Sequence, residues 1–170
     1  MTDFLLQLVK RREPTEDHSK GPDVSGSAAS REPQDIRGND TEGVSNILKF
    51  VTESGLFDRK FYLDSYPDIA SSDLDALAHF LDYGYQEGRC PNPYFDPLWY
   101  LETYPDVREA RAQPLLHYAE HGDKEGRQPS VKFDPKWYRE TYGLGSEDCA
   151  LAHYLENRFS GRFSPLPDFD

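Results

Sequence analysis

Three histidines occupy one recurring position, each followed by an aromatic residue: His79-Phe80, His117-Tyr118 and His153-Tyr154. Histidine can serve as acid, base or metal ligand near neutral pH. A catalytic or metal centre, however, needs unlike partners converging on one point. Repetition gives each histidine the same surroundings, one repeat apart, so we expect a structural hydrogen-bonding role. Arg89, Arg127 and Arg162 each follow a glycine. Their planar forks could hold a sugar carboxylate or a phosphate. The competing reading pairs them with the Asp68/Asp106 series or with a helix C-terminus, and we favour it. Tyr83, Tyr85 and Tyr94 do not recur in every repeat and could offer a stacking platform to sugar rings; Arg89 and Arg127 join them as candidate glycan or partner contacts. Paired carboxylates could serve glycoside chemistry. Here Asp58, Asp96 and Asp134 are better explained as helix caps. The chain has no Gly-rich phosphate loop, nucleophile elbow, cysteine metal cluster or EF-hand loop. No catalytic residue, cofactor site or metal ligand is therefore assigned, and we expect no catalytic activity in this chain alone.

The elements that must position these residues repeat as well. Phe-Asp occurs at 57–58, 95–96, 133–134 and 169–170, at spacings of 38, 38 and 36 residues. A tyrosine stands five residues after each of the first three phenylalanines: Tyr62, Tyr100 and Tyr138. Each aspartate fits an N-cap, and Pro97 and Pro135 fit the first helical position, where a missing N–H costs nothing. The Phe before the cap and the Tyr after it form a hydrophobic staple. Tyr66-Pro67 and Tyr104-Pro105 should stop the first helix, because a residue before proline is pushed out of the helical region. A second helix is expected from about Leu74, capped by Ser72 or Asp73, with Leu74, Leu77, Ala78 and Leu81 as its apolar stripe. Gly84 and Gly122 are expected just past its end in a left-handed conformation, with Asn157 in that role in the third repeat. Each unit thus reads as helix–turn–helix–loop, too small to bury its own faces alone.

The rest of the chain differs in composition. Of its aromatic residues only Phe4 and Phe50 precede Phe57. Mean hydropathy is -0.81. Residues 1–43 read as a disordered arm, unable to offset ordering entropy by burial, with a short amphipathic helix possible at 1–12. Leu5, Leu8 and Val9 could give that helix an apolar face for a partner groove or a membrane surface. Residues 44–56 read as a capping helix, ended by Ser54-Gly55. The repeats follow at 57–94, 95–132 and 133–168, and 169–170 begins a truncated fourth. The expected fold is all-α: three tandem helix–turn–helix repeats of about 38 residues stacked as a short α-solenoid. Open repeat ends would permit self-association.

The net charge of -12 argues against nucleic acid as a partner. No apolar run is long enough to span a membrane, and no secretion signal is evident. Cys90 and Cys149 stand in unlike contexts and are expected to be free thiols in a reducing compartment, which points to the cytoplasm.

The pattern Phe-Asp-x-x-Trp-Tyr-Leu-x-x-Tyr-Pro-Asp-Val at 95–107 continues as Pro-Leu-Leu-His-Tyr at 114–118 and Glu-Gly-Arg-x-Pro at 125–129. It resembles a repeat that accompanies bacterial glycosyltransferases, rhamnan-synthesis-like proteins, some sulfotransferases and other cell-surface polysaccharide biosynthesis proteins. The resemblance covers residues 55–170. It implies an accessory region beside a catalytic domain, in a bacterial setting linked to surface glycans. Unit three departs from it: Tyr142-Gly143-Leu144 replaces Tyr-Pro-Asp, and Arg158-Phe159-Ser160 replaces Gly-x-x-Glu. Three functional expectations follow: a scaffold that binds a polysaccharide-synthesis enzyme, a carbohydrate-binding module using exposed aromatics, or an accessory or regulatory fragment of a glycosyltransferase.

Overall fold

A computed structural model describes residues 37–167, with side chains from Glu42. The possible helix at 1–12, most of the expected disordered arm and the Phe169-Asp170 fragment lie outside the described residues. The described chain is helical, with nine α-helices and only two isolated antiparallel bridges, Asn92 with Phe95 and Ser130 with Phe133. It divides into two units, Met1–Ile47 and Leu48–Asp170.

Helix α1, Arg37–Glu53, begins seven residues before the expected start at 44. Its first seven residues, Arg-Gly-Asn-Asp-Thr-Glu-Gly, carry no apolar periodicity to announce a helix. In the second unit, α2 (Arg59–Ser65), α5 (Pro97–Thr103) and α8 (Pro135–Tyr142) open the three sequence repeats. Asp58, Asp96 and Asp134 cap them, accepting from Phe61, Trp99 and Trp137 N–H at 2.9, 3.0 and 2.9 Å. The staples are present: ring centroids lie 5.2 Å apart for Phe57–Tyr62, 5.4 Å for Phe95–Tyr100 and 5.2 Å for Phe133–Tyr138.

The prolines do more than end α2 and α5. Tyr66 and Tyr104 turn out of the helix with ψ of 80° and 85°. Pro67 and Pro105 then start short helices of their own, α3 (Pro67–Ala70) and α6 (Pro105–Glu109). Their fixed φ suits a first helical position. The simple helix–turn–helix expectation is corrected accordingly in the first two repeats. The third repeat, without that proline, continues α8 to Tyr142 instead.

The next helices are α4 (Ala76–His79), α7 (Pro114–His117) and α9 (Ala150–Asn157). Helix α4 starts at Ala76 rather than Leu74, because Asp75 rather than Ser72 or Asp73 is the cap, accepting from Ala78 N–H at 2.9 Å. Leu74 is exposed, and the buried stripe is Ala76, Leu77, Phe80 and Leu81. Both α4 and α7 run on into a π-helical turn, Phe80–Gly84 and Tyr118–Gly122. α9 instead passes into a 3-10 turn, Arg158–Ser160.

The core is aromatic. Tyr62, Tyr100, Tyr118, Tyr138, Phe80, Phe95 and Phe133 are fully buried. Such rings supply the apolar area that short helices with few leucines cannot. Tyr62 packs on Tyr66, Tyr100 on Tyr104 and Tyr138 on Tyr142, at 4.8, 4.7 and 4.7 Å. Each repeat's tail also returns to its head: Asp58, Asp96 and Asp134 donate their N–H to the carbonyls of Pro91, Pro129 and Pro165. Between repeats, Ser130 Oγ donates to the Tyr94 carbonyl at 2.7 Å. The first and third repeats touch directly, through Arg158–Asp58 at 2.6 Å and Tyr94–Tyr154 at 3.0 Å between hydroxyls.

Candidate functional site

Each repeat histidine meets the tyrosine of the helix before it. The hydroxyls of Tyr62, Tyr100 and Tyr138 lie 3.0, 3.0 and 2.8 Å from Nδ1 of His79, His117 and His153. The tyrosines are held as neutral phenols: burial raises all three, Tyr138 to about 12. Burial, aided by the positive charge of Arg127, lowers His117 below the ordinary histidine range. A neutral imidazole next to a neutral phenol is a good hydrogen-bonded pair and a poor start for proton transfer.

A glycine makes room for this pair in the first two repeats. A Cβ on Gly84 would collide with the Tyr62 hydroxyl, and one on Gly122 with that of Tyr100. Gly84 and Gly122 are therefore not the expected left-handed caps. They lie inside the π-helical turns, while the left-handed residues are Gly88 and Gly126, at φ 74° and 71°. A π-turn accommodates one extra residue in a helix. From histidine to left-handed glycine there are accordingly nine residues in the first two repeats and eight in the third. In the third repeat Arg158 stands in the Gly84/Gly122 position, the π-turn is absent and Gly161 is left-handed. Asn157 stays right-handed, contrary to expectation, and its side chain donates to the His153 carbonyl at 2.8 Å.

The arginines are engaged. Arg89 pairs with Asp68 at 2.8 Å and Glu87 at 2.6 Å, and its guanidinium lies 4.9 Å from the Tyr66 ring centre. Arg127 repeats the arrangement with Asp106, Glu125 and Tyr104. The arginine hydrogen bonds hold the Asp68 and Asp106 carboxyls below their ordinary range. Arg162 is exposed, and the aspartate of this series is missing from its repeat.

The suggested tyrosine platform is not assembled. Tyr85 is buried, which corrects its place as a surface contact. Tyr94 is half-buried against Tyr154, with rings 4.9 Å apart. Tyr83 alone of the three is well exposed, with its ring 6.1 Å from that of His79. Trp99 and Trp137 pack edge-on against Tyr104 and Tyr142. Cys90 and Cys149 are free thiols, both raised first by burial, Cys149 to about 12.

Two features escaped the sequence reading. The first is Asp123, which is buried and accepts from the Tyr118 hydroxyl at 2.9 Å and from Ala150 N–H at 3.1 Å, and pairs with Arg139. It caps α9 from the neighbouring repeat, in place of Cys149, whose side chain makes no cap bond. The second is a cleft of about 630 Å³ bordered by Asp58, Lys60, Phe61 and Asp64 of the first repeat, by Pro93 and Tyr94, and by Tyr154, Arg158 and Phe159 of the third. Departures of single repeats from the shared pattern were the available signal for both. Asp123 stands where the first repeat has Tyr85, and Arg158 where the others have glycine.

Among the described residues, no group of three or more His, Cys, Asp or Glu side chains is placed to hold a metal ion, and no helix is long and apolar enough to cross a membrane. No family model, curated protein or solved structure matches this chain.

Proposed function

We propose that residues 57–168, three tandem helical repeats whose first and third members also touch, serve as a non-catalytic scaffold for enzymes of bacterial cell-surface polysaccharide synthesis. The observation that carries the non-catalytic part is the closure of the recurring polar groups on one another. The Tyr–His pairs and the Arg–Asp–Glu clusters satisfy their own repeat. Side chains so engaged maintain a shape, and a repeated shape offers an extended surface for a protein partner. The link to polysaccharide synthesis rests on the motif at 95–107, 114–118 and 125–129. Affinity capture from the source cell's lysate tests the reading, with the full chain and residues 44–170 as parallel baits. A glycosyltransferase or polysaccharide-assembly protein is expected on both. Loss from the shorter bait would move the contact to the N-terminal arm; glycan captured without such a protein would overturn the scaffold. A glycan-binding reading also has a specific observation in its favour, the aromatic cleft between the first and third repeats.

A further inference from the structure

We propose that this cleft is a binding site for a neutral sugar ring of a glycan, with Phe159 as the stacking surface and the Tyr94–Tyr154 hydroxyls as its polar floor. The proposal goes beyond the scaffold reading and does not depend on it.

Phe159 is 87% exposed, the most exposed large apolar side chain among the described residues. Its ring is not left without support: the Arg158 guanidinium carbon lies 4.7 Å from its centre. Arg158 is in turn fixed by Asp58 at 2.6 Å. A flat apolar ring thus stands at the edge of a cleft whose other aromatic borders are Phe61, Tyr94 and Tyr154. The C–H face of a pyranose packs on such a surface, and its hydroxyls need donors and acceptors around it.

The polar groups are suited to a neutral ligand. The four charged side chains bordering the cleft form two ion pairs, Arg158–Asp58 and Lys60–Asp64. Both cations bordering the cleft are thus matched by a carboxylate, and the net charge of -12 repels a uronate or phosphate. A paired carboxylate still has free lone pairs, and an ammonium still has free hydrogens, for sugar hydroxyls.

The tyrosine pair supplies a donor to the polar side of the cleft. Two phenols carry two hydrogens, and the single contact between them, at 3.0 Å, uses one. The second hydrogen stays on one of the two hydroxyls, that of half-buried Tyr94 or that of Tyr154, and is available on the cleft side. A sugar oxygen in the cleft would accept it.

The test is an NMR titration of the full chain with maltotriose, cellotriose and mannotriose, and with trigalacturonate as the anionic control. Expected are shifts centred on Phe61, Tyr94, Tyr154 and Phe159 with at least one neutral trisaccharide, and weaker binding of trigalacturonate. Phe159→Ala should weaken binding about fivefold, the equivalent of one ring-stacking contact. Because Phe159 is so exposed, this variant keeps its fold, and an unchanged spectrum elsewhere verifies that. Tyr94→Phe is the second variant and should also weaken binding. Absence of shifts with all three neutral sugars would overturn the proposal, as would affinity unaltered in Phe159→Ala or tighter binding of trigalacturonate. Enzyme capture that persists with Phe159→Ala separates failure of this site from failure of the scaffold reading.

Discussion

The hydroxyl of Tyr100 sits between two constraints, the imidazole of His117 and the missing side chain of Gly122. Tyr100→Phe deletes a buried hydrogen bond and should cost about 1–2 kcal/mol. Gly122→Ala drives a methyl group into that hydroxyl and should cost about 1–3 kcal/mol. The two changes should not add, since removing the hydroxyl relieves most of the collision. Urea denaturation of both single variants and the double variant measures the coupling; strict additivity would show that the glycine is there for another reason. The same histidine sets a pH dependence. Its folded-state affinity for protons is lowered, so the unfolded chain binds protons more readily. That contribution to stability is whole above the ordinary histidine range, near 6.5, and is withdrawn as pH falls through it. The lowered carboxyls of Asp68 and Asp106 withdraw theirs only further down, below their ordinary value of 3.8. The melting temperature should therefore fall between about pH 7.5 and pH 5.5, and His117→Asn should flatten part of that slope. An identical slope in the variant would remove His117 from the account.

The start of the first helix in each repeat was legible, because caps, prolines and staples act over four or five residues. Asp58, Asp96 and Asp134 are of this kind. The π-turns were not legible: Gly84 and Gly122 look like C-terminal glycines until the Tyr62 and Tyr100 hydroxyls are seen above them. Nor was the cap of α9, which comes from another repeat. Asp123 lies 27 residues before Ala150, far outside any local signature. Its carboxylate also holds Arg139, which reaches the carbonyl of Asp148 at 2.8 Å and so secures the shortened loop of the third repeat. Asp123→Ala would leave the buried Tyr118 hydroxyl and the buried Ala150 N–H without their acceptor and half-buried Arg139 without its carboxylate, at a cost of about 3 kcal/mol. The equivalent loss at Asp75, an exposed cap within its own repeat, should cost about 1 kcal/mol. Chemical denaturation of the two variants side by side checks the ranking, and equal costs would mean that the contact across repeats adds nothing.

At the scale of the molecule, the first, second and third repeats depend on one another by identifiable bonds. The second caps the third through Asp123, and Ser130 in the second holds the Tyr94 carbonyl of the first. The first and third meet at Arg158–Asp58 and Tyr94–Tyr154. A row in which each repeat met only its neighbours would lose its end contacts one at a time. Here, removal of the middle repeat takes away the α9 cap and the Tyr94 support together. It also shifts the ends that Arg158 and Asp58 join. Deleting residues 95–132 should therefore unfold far more than the one-third of repeat structure that it removes. Far-ultraviolet circular dichroism of the shortened chain decides it. A signal near two-thirds of the original, with a cooperative melt, would mean that the repeats fold independently; a signal far below that, without a melt, is the outcome that the shared bonds require.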